Sequence, residues 1–258
     1  MNTLVFDIET VPDVAFGRRL YDLGTLPDEQ VAKAMFARRR QDSGGDFLPL
    51  EQQRVVAISC ALRRGDTFTL WSVGEPGTAE GELLQRFFDG IGKLSPDLVS
   101  WNGSGFDLPV LNYRALLWGV QAPRFWETGA DDVDFRYNNY LGRYHWRHTD
   151  LMDVLSGFIS RNRVSLANMA SLLGLPGKLG FGGDQVWDAY QRGDTLGIRR
   201  YCETDVLNTY LIYLRFERLR GRLTADGHRE EIGRVRAYLG ASSEPHLVQF
   251  LAAWAEAA

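Results

Sequence analysis

Residues 4–10, LVFDIET, decide the fold, because an apolar run ends there in two carboxylates that stand one residue apart. Residues 2–6 are mainly apolar or β-branched, which predicts a buried strand. Residues i and i+2 of a strand point to the same side, so Asp7 and Glu9 project together. Because neighbouring carboxylates repel each other, a divalent cation that prefers oxygen ligands is the simplest partner for them. On these residues alone, the alternative to a cation site is a strand that ends in an exposed turn near Pro12, where carboxylates are ordinary.

The composition is that of an ordinary globular protein. The 258 residues are 45% hydrophobic and 24% charged, enough for one large domain or two small ones. We find neither an apolar run near the roughly 18–20 residues that cross a bilayer nor a secretory signal pattern. Cys60 and Cys202 stand in hydrophobic surroundings. We therefore expect reduced core cysteines, no membrane association and a cytoplasmic location; a disulfide is the less favoured alternative.

The charge is uneven along the chain. The net charge of −4 argues against a protein that coats DNA regardless of sequence. Residues 1–134 carry 13 basic and 20 acidic side chains, whereas residues 135–258 carry 16 and 13. The most basic span is 136–178. A basic surface there could guide a polyanion, although a solvated arginine-rich surface explains the same residues.

The order of predicted elements indicates an α/β protein. Three strands come early, and further strands then alternate with helices, which predicts a mixed five-stranded sheet flanked by helices with the acidic strand near its middle. The predicted strands are 2–6, 55–62, 67–73, 98–101 and 144–148. The predicted helices are 78–94, 107–118, 165–173, 184–192, 195–219 and 243–255, and residues 123–144 are expected to be irregular. The apolar stripe of the last helix, Leu247, Phe250, Leu251 and Trp254, is expected to join the core.

We expect a single domain over residues 1–258, with two additions to its central part. One is a polar, helix-compatible insertion at about 13–52, and the other is a C-terminal helical extension at about 221–258.

Two further aspartates stand where a predicted strand passes into a helix. Asp107 follows the glycine-containing turn 102–105, and Asp150 follows the predicted fifth strand. The first position of a helix favours Asp as a cap, and Pro109 just inside the helix fits that interpretation. Taken alone, both aspartates are therefore expected to be helix caps.

A carboxylate also falls inside the longest predicted helix. Tyr201 and Asp205 are four residues apart, so they share one face of that helix. Their neighbours on it are apolar, and a buried, unpaired Asp is costly. Asp205 therefore needs a metal ion or an ion-pair partner, for which Arg199 and Arg200 are the candidates.

Three motifs resemble, in chain order, those of the DEDDy class of 3′–5′ exonucleases: FDIE at 6–9, NGSGFD at 102–107 and YCETD at 201–205. They are most similar to the proofreading domain of family B DNA polymerases, especially its stand-alone bacterial relatives. Residues 177–183, GKLGFGG, are similar to that stand-alone group as well. The resemblance spans residues 4–216. The chain departs from the pattern in its long insertion and in having no polymerase region, which makes it look like a free exonuclease.

The resemblance implies a ribonuclease H-like fold and a metal-dependent 3′–5′ exonuclease that releases nucleoside monophosphates. It implies two divalent ions, Mg²⁺ or Mn²⁺, held by four carboxylates, with Tyr201 positioning the attacking water. The implied metal-binding residues are Asp7, Glu9, Asp107 and Asp205. The 3′ end would be held near Thr10, Val11, Asn102 and Phe106, although Phe106 could equally be a core residue.

Single-stranded DNA is the favoured substrate, and two alternatives stay open. One is an exoribonuclease with the same site, since discrimination depends on how a pocket meets a 2′-hydroxyl. The other is a catalytically silent nucleic-acid-binding or polymerase-accessory module, which predicts a missing carboxylate. The 177–183 loop lacks the pattern of a phosphate-binding P-loop, so we expect a flexible channel edge or a turn.

Overall fold

A mixed five-stranded sheet lies at the centre of the computed structural model, which describes residues 2–256. The strand order is β3-β2-β1-β4-β5, with β1, β2 and β3 antiparallel and β1, β4 and β5 parallel. This confirms the predicted sheet and the central place of the acidic strand. The strands are β1 (Asn2–Pro12), β2 (Gln53–Arg64), β3 (Thr67–Ser72), β4 (Asp97–Ser100) and β5 (His148–Asp150).

Helices cover both faces of the sheet. Those at Asp107–Trp118 and Thr195–Leu219 have the predicted bounds, and the predicted helix 184–192 begins instead with a 3₁₀ turn. In chain order the helices are α1 (Val14–Tyr21), α2 (Asp28–Ser43), α3 (Glu80–Leu94), α4 (Asp107–Trp118), α5 (Leu151–Leu155), α6 (Leu166–Leu172), α7 (Val186–Gln191), α8 (Thr195–Leu219), α9 (Ala225–Gly240) and α10 (Pro245–Glu256).

Strand β1 is buried on both faces, which explains its continuous apolar run. Phe6 packs against Phe87 of α3, with the ring centroids 5.2 Å apart. Val5 faces the opposite way, into the core that contains α8. Because side chains alternate along a strand, Asp7 and Glu9 project to the α8 side with Val5.

A register shift in the β1–β2 pairing follows the two carboxylates. Glu9 pairs with Ala57, but the next residue, Thr10, pairs with Val55. An extra residue in one strand bends it and re-aims the neighbouring side chains. The extra residue here is Val56 of β2, and the irregularity separates the two carboxylates of β1 from the last residues of that strand.

The segment 13–52 forms two packed helices, α1 and α2, with a small core of their own. Val31, Met35 and Leu48 are buried in it. A Cβ atom on Gly17 would meet the Met35 sulfur at 2.3 Å, so a larger residue there would require the buried Met35 side chain to move. The segment is thus an ordered layer with its own packed interior.

A buried arginine fastens this layer to the sheet. Arg114 of α4 forms ion pairs with Asp13, which caps α1, and with Glu80 of α3 at 2.6 Å. Glu80 also accepts a hydrogen bond from the amide of Val55 in β2 at 2.7 Å. A buried ion pair is costly to break because the remaining charge loses its partner. The position of the layer relative to β1 and β2 is therefore well defined.

The fifth strand was predicted wrongly at 144–148, and the structure places it at His148–Asp150. The amides of Trp146 and Arg147 donate to the side-chain oxygen of Asn138, at 2.9 and 3.0 Å. Backbone groups that are satisfied by a side chain are not available for a strand ladder. The prediction that residues 123–144 are irregular is confirmed, with a single 3₁₀ turn at Val133–Phe135 among them.

The C-terminal helices pack on the α8 side of the sheet. Glu231 of α9 forms a buried ion pair with Arg63 of β2 at 2.6 Å and accepts a hydrogen bond from Tyr210. The predicted apolar stripe of α10 does join the core, with Leu247, Phe250 and Trp254 buried. The predicted extension, 221–258, ends beyond the described residues.

Both cysteines are free and buried, which agrees with the sequence-based expectation. Among residues 2–256, no helix combines the length and apolar character that crossing a membrane requires.

Candidate active site

The carboxylates of β1 form the centre of the site. Asp7 is half-buried and Glu9 is buried, with 8% of its surface exposed. One carboxylate oxygen of Asp7, one of Glu9 and the sulfur of Cys202 on α8 all lie within 4.8 Å of one another. The i, i+2 spacing brings the two carboxylates together, as their positions in the sequence predict, and the fold places them against α8.

Asp107, the first residue of α4, joins this pair of carboxylates. Its carboxylate accepts a hydrogen bond from the amide of Ile8 at 3.1 Å, between the two β1 carboxylates in sequence. The position before it, Phe106, is the N-cap of α4 and makes no side-chain cap bond. The helix-cap interpretation of Asp107 is thus wrong, because its side chain reaches back to β1.

Asp205 approaches from α8 together with Tyr201. The Tyr201 hydroxyl interacts with the Asp205 carboxylate, and Asp205 raises the pKa of Asp7 and Glu9 by its charge. The two arginines proposed as partners point elsewhere. Arg199 donates to the backbone carbonyls of residues 72–74, and Arg200 pairs with Glu244 at 3.3 Å. Neither arginine neutralises Asp205.

Burial raises the pKa of all four carboxyl groups, and repulsion within the cluster adds to this effect for Asp7 and Glu9. Burial is the larger cause in each case; it raises the pKa of Asp107 to about 7 and that of Asp205 to about 6. The pKa values of Asp7 and Glu9 lie well above their ordinary range, because burial is reinforced by the neighbouring carboxylates. Such a cluster is unfavourable in its ionised form unless positive charge is added.

The chemistry of the donors fits hard divalent cations. Carboxylate oxygens are the ligands that Mg²⁺ and Mn²⁺ prefer. The only sulfur in the group belongs to Cys202, whose thiol is 3.4 Å from the Asp7 carbonyl oxygen and 3.6 Å from its carboxylate. Burial raises the pKa of this thiol, so it donates hydrogen bonds as a neutral group. The cluster is thus an all-oxygen site beside a protonated thiol.

The sequence did not reveal two residues of the 177–183 loop that reach the site. Lys178 lowers the pKa of both Glu9 and Asp205, so its charge lies close to them. The ring of Phe181 lies 5.0 Å from that of Tyr201. Asn208 of α8 exchanges two hydrogen bonds of 3.1 Å with the backbone of Gly177. The loop was expected to be a channel edge or a simple turn, and the structure places its lysine beside the carboxylates; only the glycines around this lysine could have drawn attention to it.

Asp150 caps α5, as expected, and also organises the turn before Asp107. It accepts hydrogen bonds from the amides of Asn102, Ser104 and Asp153, at 2.9, 2.9 and 3.2 Å. Asn102 has a φ of +67°, an unusual conformation for a residue other than glycine. The carboxylate of Asp150 thus stabilises the turn that leads into α4.

A cavity of about 860 Å³ opens beside Glu9, between β1, the segment 13–52 and α7. Three of the four predicted substrate-binding residues line it: Thr10, Val11 and Phe106. Thr10 donates a hydrogen bond to Gln53 at 2.8 Å, and Val11 is almost fully buried. Asn102 lies outside this lining, in the turn that Asp150 holds. Of the four carboxylates, Glu9 is the one that lines this cavity.

A mixed sheet with β1 at its centre, flanked by helices, defines the class: a ribonuclease H-like α/β fold of the exonuclease type. Residues 45–254 match the family described as "Predicted 3'-5' exonuclease related to the exonuclease domain of PolB", and the chain belongs to that family. The resemblance to the exonuclease domain of family B DNA polymerases is thereby confirmed at the level of the family. The matched span includes Asp107, Tyr201 and Asp205, whereas Asp7 and Glu9 precede it.

Two curated relatives are archaeal DNA polymerases. The chain is 26% identical over 167 residues to one from Archaeoglobus fulgidus, which covers 63% of this chain and 20% of the polymerase. It is 30% identical over 122 residues to one from Pyrococcus glycovorans, which covers 43% of this chain and 15% of that protein. The chain thus spans a fifth or less of the length of these polymerases, and the similarity concerns only that part of each.

Proposed function

We propose that this protein is a metal-dependent 3′–5′ exonuclease that hydrolyses the terminal phosphodiester bond of single-stranded DNA and releases nucleoside monophosphates. The observation that supports it best is the convergence of four carboxylates from β1, α4 and α8, one of which, Glu9, lines an open cavity. Membership of an exonuclease family supports a nucleic-acid substrate.

Asp7, Glu9, Asp107 and Asp205 would hold two divalent ions, Mg²⁺ or Mn²⁺. When bound, such ions lower the pKa of a coordinated water and stabilise the charge on the leaving oxygen. Asp7 is central to the cluster, because the charge of each of the other three carboxylates raises its pKa. It is therefore the best candidate to contact both ions.

Tyr201 would orient the attacking water without removing its proton. Burial and the neighbouring Asp205 raise the pKa of this phenol, so it stays protonated at neutral pH. A neutral phenol both donates and accepts a hydrogen bond. With its hydroxyl at Asp205 and its ring against Phe181, the side chain is fixed for that role.

Lys178 would contact the scissile phosphate or keep the carboxyl groups of Glu9 and Asp205 ionised. Its positive charge lowers the pKa of Glu9 and Asp205, which favours the form that binds metal. Thr10, Val11 and Phe106 would contact the 3′-terminal nucleotide from the cavity side, and Asn102 would contact it from the turn.

We further propose that the chain is one exonuclease domain in which 13–52 is an insertion and 221–258 an extension. The buried pairs of Arg114 with Asp13 and of Arg63 with Glu231 support this organisation. The two free, buried cysteines support a cytoplasmic location.

A degradation assay tests the proposal. A 5′-labelled single-stranded DNA and an RNA of the same sequence are each incubated with Mg²⁺, Mn²⁺ or EDTA. The proposal predicts a metal-dependent ladder that shortens the DNA from its 3′ end. Laddering of the RNA alone would favour an exoribonuclease. No cleavage of either nucleic acid would favour a silent binding module. The Asp205→Asn variant serves as the inactive reference in every reaction.

A further inference from the structure

The cavity beside Glu9 is bordered by aromatic rings from three separate parts of the chain. Phe36 and Phe47 come from the segment 13–52, Phe106 precedes α4, and Trp187 belongs to α7. Rings that meet around an open cavity are a common way to hold the bases of a single strand. The segment 13–52 forms one wall of this cavity, and most of it lies outside the residues that match the family.

Phe47 is the most exposed of these rings, with 60% of its surface accessible. Its neighbours fix the loop that carries it. Arg39 donates a hydrogen bond to the Phe47 carbonyl at 2.7 Å, and Leu48 is buried in the small core of the insertion. Gln53 donates to the Leu48 carbonyl at 3.0 Å. An ordered loop thus presents a large apolar ring to solvent at the mouth of the cavity.

The Phe47 ring also contacts the residue that precedes Asp107, and it lines the same cavity as Glu9. Its centroid is 5.3 Å from that of Phe106, at an interplanar angle of 58°. Phe106 is followed directly by Asp107, whose carboxylate reaches β1. A base held against Phe47 would therefore belong to a nucleotide at or next to the reacting end.

The charge of the residues that line this cavity does not explain how it would hold a polyanion such as a nucleic acid. Five acidic side chains line it, whereas the basic ones are Lys33, Arg40 and Lys178. Lys33 is paired with Glu29 and Arg40 with Asp46, both at 2.6 Å. Before metal binds, the lining carries more negative than positive charge. Stacking on aromatic faces is consequently the main attraction that this wall can offer.

We propose that Phe47, presented by the insertion, is a further substrate-binding residue that stacks on a base at the 3′ end. This inference rests on the proposed exonuclease function. The ligand is an unpaired base of any identity, because every base has a π-face. The segment 13–52 would then contribute to the substrate channel as well as to the fold.

Steady-state kinetics on single-stranded DNA with a normal 3′ end tests this role. Phe47→Ala should raise KM at least about fivefold with kcat little changed, since stacking contributes equally to ground state and transition state. Phe47→Tyr should restore the wild-type KM because it keeps the ring. Leu20→Ala is the matched control, because Leu20 belongs to the same segment, is 47% exposed and lies outside the cavity lining.

A second substrate separates stacking from a structural effect. On DNA whose last two residues lack bases, wild type and Phe47→Ala should have similar KM values, because the stacking partner is missing. A fivefold difference that persists on this substrate would overturn the proposal. Equal KM values on the normal substrate would also overturn it. Should the alanine variant unfold, Phe47→Leu carries the same test, since it keeps an apolar side chain without a ring.

The two proposals fail in different ways. Absence of cleavage by the wild type would contradict the exonuclease proposal itself. An active wild type whose KM does not respond to Phe47 would contradict only the inference about the insertion.

Discussion

The carboxylate of Asp107 accepts a hydrogen bond from the backbone amide of Ile8, 99 residues earlier in the chain, at 3.1 Å. Ile8 lies between Asp7 and Glu9, so this bond places the first residue of α4 against the acidic end of β1. The bond uses one carboxylate oxygen, and in the proposed metal site the other oxygen would bind a cation. The relationship links the turn 102–106 to the central strand and so determines the geometry of the proposed metal site.

Replacing a proposed metal ligand should abolish activity without unfolding the protein. Asp205→Asn keeps the size of the side chain but removes its charge. Changing groups that only support metal ligands typically costs 10–100-fold, so the loss of a direct ligand should reduce kcat/KM by at least about 100-fold. The measurement is the initial rate on labelled DNA together with circular dichroism. Wild-type activity in a folded Asp205→Asn variant would contradict the ligand assignment.

The metal-free protein should lose stability as the pH rises towards neutrality. The pKa of Asp107 is about 7, whereas an Asp in an unfolded chain has a pKa of about 3.9. Between these values the folded state binds more protons than the unfolded state, so this group's contribution to the free energy of unfolding falls with increasing pH. Asp107→Asn keeps an oxygen that can accept the Ile8 hydrogen bond but does not titrate.

Thermal unfolding in EDTA between pH 5 and pH 8 checks this expectation. Asp107→Asn should gain stability relative to wild type as the pH rises, and saturating Mg²⁺ should reverse the order by stabilising the wild type. Parallel pH profiles of the two proteins in EDTA would show that the raised pKa is absent.

Lys178→Met should shift the acidic limb of the pH–rate profile to higher pH. The lysine charge lowers the pKa of Glu9 and Asp205, so its removal leaves both carboxyl groups protonated over a wider range. Activity measured from pH 5 to pH 9 gives the shift. Lys93→Met on α3 is the control, since Lys93 is exposed and lies outside the cavity beside Glu9. An unchanged profile for Lys178→Met would place the lysine outside the working site.

Asp150→Ala should lower both stability and activity. The alanine leaves the amides of Asn102 and Ser104 without their acceptor and removes the cap of α5. Hydrogen bonds to a charged group contribute about 1.5–3 kcal/mol each, so we expect a loss of at least about 2 kcal/mol in urea unfolding. Asp150→Asn, which retains one acceptor oxygen, should lose less. Equal stability of both variants and wild type would contradict the role of Asp150 in holding the turn.

Features that depend on neighbours in the sequence were predicted well. The strand predicted at residues 2–6, with Asp7 and Glu9 at its end, follows from a local apolar run and a period of two, although β1 continues to Pro12 in the structure. The bounds of α8 follow from a long helical pattern that begins after the capping residue Asp194. The apolar stripe of α10 was assigned to the core for the same reason.

Features that depend on distant partners could not be predicted. Strand β5 was misplaced because Asn138, from a loop without periodicity, satisfies the amides of Trp146 and Arg147. Asp107 had the sequence context of a cap, and only the tertiary fold brings Ile8 to it. Lys178 and Phe47 belong to loops whose positions at the cavity are set by long-range packing, which leaves no local pattern.

Diffraction from crystals soaked in Mn²⁺ tests the central claim most directly, because anomalous scattering locates the ions independently of activity. We predict two Mn²⁺ peaks about 3.5–4 Å apart, with Asp7 contacting both and Glu9, Asp107 and Asp205 completing the site. Peaks located away from these carboxylates, or four carboxylates that stay without metal at saturating Mn²⁺, would contradict the account.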